Sequence, residues 1–516
     1  MLTLKEKLGQ LLMVGFDGTI APAYLLDWLA SGRIGGVYLF ARNVESTAQV
    51  KQLVDACHNA AKYPILVGID QEGGAVARLR DGFSESPGAM ALGASRDAQL
   101  AEDIAFMLGR ELAALGINWN FAPVADVAHN SANPSVGTRS PGADKDLVRD
   151  TVVAQIRGFE RAGVASTAKH FPGLGNTEID THVALASVSG SLRYLYEEDL
   201  TPFRGAISAN APCIMTTHVM FEELDDRFPA SLSPRVIDGL LRGELGYDGA
   251  VCTDCMEMKA ITDGWGTGES AVLAVLAGVD ILLFSHSRAR QEAAFDALLG
   301  AAESGRISSG RLDKSVERIR ALKGRYLLND RPPLAIVASE AHRSLSRKAA
   351  RAGTVLVRTP VRGPMASAKT RVMSLEFAPQ LASSDDDQDS DTVLSRYLSQ
   401  RLPRAESIIV RAETDLDSLL SQAESLMAAA DVLIVATRNA HMQPWQAQAA
   451  RAAIDRHPSA VLLCLRNPYD AGLISGASAI LCSNGDSAPS IEAAVDAICG
   501  DYVPAGALTV DLELDL

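Results

Sequence analysis

Residues 169–182 read Lys169-His170-Phe171-Pro172-Gly173-Leu174-Gly175-Asn176-Thr177-Glu178-Ile179-Asp180-Thr181-His182, and they gather ionisable side chains where an apolar run gives way to a polar one. Val164–Ala168 has the composition of a short buried strand, and Pro172, Gly173 and Gly175 exclude a helix directly after it. Lys169, His170, Asp180 and His182 therefore sit at, or just beyond, the C-terminal end of a strand. Asp180 and His182 are two apart, so in an extended segment their side chains leave the backbone on the same side. That spacing suits a carboxylate that orients an imidazole. Asp70, Asp126, His218 and Asp254 hold similar places, each at or just after the end of an apolar run. A single acid after a strand can simply cap the next helix. Six polar residues at strand ends, counting Lys169 and His170, are harder to explain that way.

The elements that must position these groups follow from the pattern of apolar residues. Up to about residue 327, short apolar runs alternate with longer segments of helical period, as in repeated βα units around a parallel sheet. The expected strands are Leu12–Phe16, Ile34–Phe40, Ile65–Asp70, Asn118–Val124, Val164–Lys169, Cys213–Val219, Gly249–Asp254 and Ile281–Phe284. Eight strands alternating with helices match a (β/α)8 TIM-type barrel, whose strand ends converge on one mouth; a doubly wound open sheet is the alternative. Ser46–Lys62, Ala98–Leu115, Lys145–Ala162 and Ser233–Leu245 carry apolar residues at three- and four-residue spacing and should form the outer ring. Ser309–Tyr326 closes this half as a basic amphipathic helix with a solvated face.

Asn329-Asp330-Arg331-Pro332-Pro333 punctuates the chain. Beyond it, runs such as Arg371–Phe377, Val432–Thr437 and Ala460–Arg466 again alternate with helices, so a smaller α/β sandwich domain is expected. The expected division is a barrel over 1–327, a linker over 328–348 and the sandwich over 349–516. Ser383–Asp391 reads as a self-repelling acidic loop without the spacing of a calcium loop.

The chain has 516 residues, 47% hydrophobic and 22% charged, which is a globular composition large enough for two or three cores. Its formal charge of −15 argues against a nucleic-acid or anionic-membrane partner, because such surfaces need clustered Lys and Arg. A small or neutral ligand fits better. No apolar run is long enough to cross a bilayer. The first ten residues lack a secretory pattern, and seven scattered cysteines do not make a disulfide framework, so a cytoplasmic setting is expected. Cys252 and Cys255 are read as buried thiols, no metal site is expected, and Gly73-Gly74 lacks dinucleotide-binding spacing, so no cofactor is expected.

Several motifs together resemble glycoside hydrolase family 3: Ile69-Asp70-Gln71-Glu72-Gly73-Gly74 with Arg78, Asn120-Phe121-Ala122-Pro123-Val124-Ala125-Asp126, Gly137-Thr138-Arg139-Ser140, Lys169-His170-Phe171-Pro172-Gly173, Asp180-Thr181-His182 and Thr253-Asp254. Within the family the chain is most similar to the exo-acting β-N-acetylglucosaminidases (β-hexosaminidases) with two domains. Asn467-Pro468-Tyr469-Asp470 and the segment around Pro504–Leu508 resemble the second domain of such members.

The resemblance implies that Asp254 is the nucleophile of a retaining mechanism and that Asp180 with His182 forms the acid/base dyad. It gives sugar-holding roles to Asp70, Arg78, Arg139, Lys169 and His170. These roles are chemically coherent. A nucleophilic carboxylate must be ionised and fixed, which a strand end provides. An imidazole titrates near neutrality and a neighbouring carboxylate stabilises its protonated form. The implied function is release of terminal β-linked N-acetylglucosamine from muropeptide or chitin-type fragments, with a small carbohydrate as the partner. The family's usual Gly-His-Gly-Asp-Thr is Gly173-Leu174-Gly175-Asn176-Thr177 here, Pro141 stands where phenylalanine is usual, and Gly506-Ala507-Leu508-Thr509 replaces Gly-Lys-Leu-Pro. Alternatives are a phosphorylase, a β-glucosidase-like member, and a non-catalytic amino-sugar-binding protein.

Overall fold

The computed structural model describes residues 2–177, 185–188, 191–327, 331–359, 363–378, 393–411 and 416–512. Asp180, His182 and the acidic run Ser383–Asp391 lie outside the described residues. Eight parallel strands form the first sheet: β1 Leu12–Val14, β2 Gly36–Leu39, β3 Leu66–Ile69, β4 Trp119–Asn120, β5 Thr167–Phe171, β6 Cys213–Thr216, β7 Ala250–Cys255 and β8 Ile281–Phe284. Each pairs with its sequence neighbour, β8 pairs with β1, and parallel bridges Trp119 to Ala165 and Val124 to Lys169 join β4 to β5. The sheet is therefore a ring, the (β/α)8 barrel, and the open doubly wound alternative is set aside.

Local chemistry sets where the outer helices begin. Ser46 accepts from the Gln49 N–H, Asp97 from Leu100 and Asp144 from Asp146 and Leu147, so orphan donors of three ring helices are satisfied by their N-caps. Met13, Trp119, Phe121, Phe171 and Phe284 are buried in one apolar cluster, in which Phe171 meets Phe203 of an outer helix.

The second sheet has six strands: β9 Val355–Arg358, β10 Val372–Phe377, β11 Ala405–Val410, β12 Val432–Thr437, β13 Ala460–Cys464 and β14 Ala479–Cys482. Their order is β9-β14-β13-β12-β10-β11, parallel except for β9 at one edge. Apolar clusters pack on both faces, which explains why β12 reads as an unbroken hydrophobic run. Residues 340–348 of the expected linker are the first turns of a helix, Glu340–Gly353, which packs on the barrel's Ala89–Ser95 helix and on the sandwich's Ala488–Cys499 helix.

Candidate active site

At the C-terminal mouth of the barrel is a cavity of about 540 Å³ lined by Asp70, Arg78, Arg139, Lys169, His170 and Asp254, among others. All five sugar-holding candidates and the expected nucleophile thus come together from three strand ends and two loops. A larger groove of about 800 Å³ lies at the opposite end, beside Pro212, Gly249 and Tyr326, the face where a barrel of this type keeps stability rather than chemistry.

The charges on one wall form a closed network. Lys169 Nζ lies 2.7 Å from Asp70 Oδ1 and 2.6 Å from Glu72 Oε1. Arg139 clamps Glu72 through Nε at 2.9 Å and Nη2 at 2.8 Å, a two-pronged geometry that only guanidinium provides. Arg78 Nη2 reaches Asp70 Oδ2 at 3.3 Å, and the Tyr38 hydroxyl donates to that same oxygen. Burial alone would push the Asp70 carboxyl up, but the Lys169 and Arg78 charges outweigh it and hold it at about 2. Burial likewise opposes ionisation of Glu72, and Arg139 and Lys169 outweigh it and lower its pKa. For Lys169 burial works downward, and Asp70 and Glu72 carry its pKa above the ordinary value. The wall is a set of fixed donors and acceptors held by their mutual ion pairs, an arrangement able to meet a polyhydroxylated ring without reorganising.

His170 and Lys169 both line the cavity, and the peptide between them is cis. His170 Nδ1 is 2.7 Å from Asp126 Oδ2, and Arg139 Nη2 is 3.5 Å from its Nε2. Asp126 also accepts from the Leu174 N–H at 2.7 Å, so the turn after β5 starts from a buried carboxylate. Leu174 is itself packed in the barrel core, and a Cβ on Gly175 would lie 1.7 Å from the Val127 carbonyl oxygen. Leu174 is thus an anchored point, while Asn176 is exposed.

Asp254 is half-buried at the end of β7, with Oδ1 accepting from the Cys255 N–H at 2.6 Å. Beside it Glu257 accepts from the backbone N–H groups of His286 and Ser287. Burial pushes the Glu257 carboxyl up, and its bonds to His286 more than reverse that. Phe40, 5.4 Å from the His286 ring, carries the Arg42 guanidinium over its face at 4.3 Å. His218, one of the polar strand-end residues, serves the scaffold: Nδ1 meets Ser231 Oγ at 2.7 Å and Nε2 meets the Cys255 carbonyl oxygen at 3.0 Å, which fixes the backbone next to Asp254. Cys255 lines the cavity with its thiol 2.7 Å from Ser285 Oγ, and all seven cysteines are free. Reading the sequence missed Glu72 and Tyr38. Glu72 carries a usable signal, because it stands two residues after Asp70, the same-side spacing recognised at Asp180 and His182.

Residues 3–322 match the Glycosyl hydrolase family 3 N terminal domain. The chain belongs to glycosyl hydrolase family 3, and by class it is a glycoside hydrolase. It is 36% identical over 365 residues to a beta-hexosaminidase A of Pseudoalteromonas piscicida, an alignment covering 62% of this chain and 61% of that relative. It is 38% identical over 289 residues to a beta-hexosaminidase of Stenotrophomonas maltophilia, covering 55% of this chain and 85% of the relative. The fold superposes on a glycoside hydrolase family 3 beta-N-acetylglucosaminidase from Paenibacillus sp. with a TM-score of 0.93, 35% identity and complete coverage of both chains.

Proposed function

We propose that the protein is a retaining exo-β-N-acetylglucosaminidase that removes terminal N-acetylglucosamine from muropeptide or chitin-type fragments. The observation that carries this reading is Asp254 at a rigid strand end, facing a cavity whose other wall is the Asp70–Arg78–Lys169–Glu72–Arg139 network. The full-length likeness to the Paenibacillus enzyme supports the choice of sugar. In this reading the wall holds the terminal sugar, Asp254 attacks its anomeric carbon, and the Asp180–His182 pair protonates the leaving oxygen. The same pair, now neutral at the ring, then takes a proton from water as the glycosyl-enzyme ester breaks. The barrel over 1–327 carries this chemistry, and a cytosolic setting suits a chain with seven free thiols. No helix among the described residues is long and apolar enough to cross a membrane.

Nitrophenyl β-glycosides bearing N-acetylglucosamine, glucose, xylose and galactose test the sugar, and fluorosugar trapping with peptide mapping tests the nucleophile. Label on Asp254 with preference for N-acetylglucosamine is the expected result; label elsewhere overturns the mechanism. His182→Ala should lose turnover of natural substrates while sparing aryl glycosides with good leaving groups. A second reading is phosphorolysis, favoured by Lys259, which lines the cavity and, among the described residues, pairs with no carboxylate. Release of sugar 1-phosphate that depends on phosphate distinguishes it from hydrolysis.

A further inference from the structure

The segment Asn467-Pro468-Tyr469-Asp470 takes no part in the cavity, yet it stands at the edge of the second sheet that faces the barrel. Asp470 is fully buried, and its carboxylate accepts from the Ala440 N–H at 3.0 Å, the His441 N–H at 2.9 Å and His441 Nδ1 at 2.8 Å. The ring is thereby turned so that Nε2 meets the carbonyl oxygen of Ser131, 3.2 Å away in the barrel loop after β4. A carbonyl oxygen only accepts, so Nε2 carries the hydrogen. Six residues further along that loop, Gly137 has φ +42°, and a Cβ there would come within 2.8 Å of the Asn467 amide. The sandwich domain thus meets one barrel loop at two points, by a hydrogen bond at Ser131 and by close approach at Gly137.

That loop serves the cavity in two directions. Asn133 accepts from the Ser135 and Val136 N–H groups at 2.9 and 2.8 Å, and its own amide donates to the Leu174 carbonyl oxygen at 2.9 Å and to Thr177 Oγ1 at 3.1 Å. The Ser135 carbonyl oxygen receives Arg139 Nη1 at 2.8 Å, which orients the guanidinium that clamps Glu72. The loop thus braces both Arg139 and the turn after β5. In open α/β sheets the carboxyl ends of strands receive a ligand where the strand order reverses. Here that point, between β10 and β12, is filled by a buried Arg438–Glu376 ion pair at 2.8 Å.

We propose that His441 and Asn467 are positioning residues of the glycosidase site, acting on Arg139 and on the Leu174–Thr177 turn through the Ser131–Arg139 loop. The proposal rests on the sugar-holding role given to Arg139 above. Misplacement of such groups by about 1 Å is enough to cost on the order of a hundredfold in rate.

The test uses the full chain, with kinetics on aryl N-acetylglucosaminides of good and poor leaving groups, inhibition by N-acetylglucosamine, and thermal unfolding. His441→Ala is expected to lower kcat/KM about tenfold or more, to weaken inhibition by N-acetylglucosamine, and to leave the unfolding midpoint nearly unchanged. His441→Gln, whose amide can still donate to the Ser131 carbonyl, should recover most of the loss. The double variant His441→Ala/Asn133→Ala should lose no more than Asn133→Ala alone, because both act through one loop. Wild-type kinetics in a folded His441→Ala protein, or losses that multiply in the double variant, would overturn the proposal. Should His441→Ala fail to fold, unaltered inhibition by the sugar in a folded Asn467→Ala protein overturns it equally. If the wild type turns over no N-acetylglucosaminide, the functional reading fails by itself, and the coupling is then read from N-acetylglucosamine binding by calorimetry.

Discussion

The Asp126 carboxylate ties His170 to the turn that follows it: Oδ2 is 2.7 Å from His170 Nδ1, while Oδ1 receives the Leu174 N–H at 2.7 Å and the His170 N–H at 3.2 Å. Burial raises the Asp126 pKa, and His170 more than offsets this, so the acid is held ionised below its ordinary value. Asp126→Asn keeps the shape but turns one acceptor into an amide donor facing the ring. The expected outcome is a rise in KM with a 10- to 100-fold drop in kcat/KM and a stability loss of about 2 kcal/mol. Steady-state kinetics alongside urea unfolding checks both.

Glu72 is the shared anion of Arg139 and Lys169, and its side chain is almost wholly buried. Glu72→Gln leaves two buried cations with one fewer partner, which costs on the order of 3 kcal/mol where a buried pair is broken. Arg139 and Lys169 should then lose their fixed aim into the cavity, raising KM more than it lowers kcat. A variant with wild-type KM would show that the network is scaffold alone.

Much of this arrangement is legible in residue order because a barrel makes it so. Alternating apolar runs fix eight strands, and the closure of β4 onto β5 brings Asp70, Lys169, His170 and Asp254 to one mouth although up to 184 positions separate them. His218 has the same sequence signature as those residues, yet its ring bonds to Ser231 and the Cys255 backbone, since which way a strand-end side chain turns depends on neighbours that the local pattern does not encode. Tyr38 sits within an apolar strand and reads as core until Asp70 is placed against its hydroxyl. Asn133, His441 and Asn467 act across long sequence separations through backbone carbonyls and close approaches, which leave no spacing signal. Asp180 and His182 remain known by their motif, being outside the described residues.

Asp70 makes a prediction about acid stability. Its carboxyl ionises at about 2 in the folded chain against an ordinary 3.8, because Lys169 and Arg78 outweigh the cost of burial. A depressed folded pKa favours the native state wherever the group is ionised, so this contribution is complete above about pH 4 and is lost as pH falls through about 2. The shift corresponds to about 2 kcal/mol. Asp70→Asn should lower stability at pH 7 and flatten the dependence of unfolding free energy on pH between about 4 and 2. Unfolding curves across that range decide it, and an unchanged slope would mean that the ion pairs are formed in the unfolded chain as well.

Lys323 makes the opposite kind of prediction at the far end of the barrel. It is buried, its Nζ donates to Gln10 Oε1 at 2.6 Å, and burial pushes its pKa down to about 7. An amine with a depressed folded pKa favours the native state when neutral. Its contribution is therefore present above the unfolded value of about 10.4 and is lost as pH falls toward about 7, where folding must bury a charge. Lys323→Met keeps the volume and removes that burden, although Gln10 loses a donor at a cost of about 1 kcal/mol. The variant should gain on the order of 1–3 kcal/mol at pH 6 and much less at pH 10, because only the buried ammonium is relieved. Tm measured for both proteins across pH 6 to 10 tests this. A gain that is equal at the two ends would assign the effect to packing, and a loss at pH 6 would show that the ammonium is solvated through a path the buried position conceals.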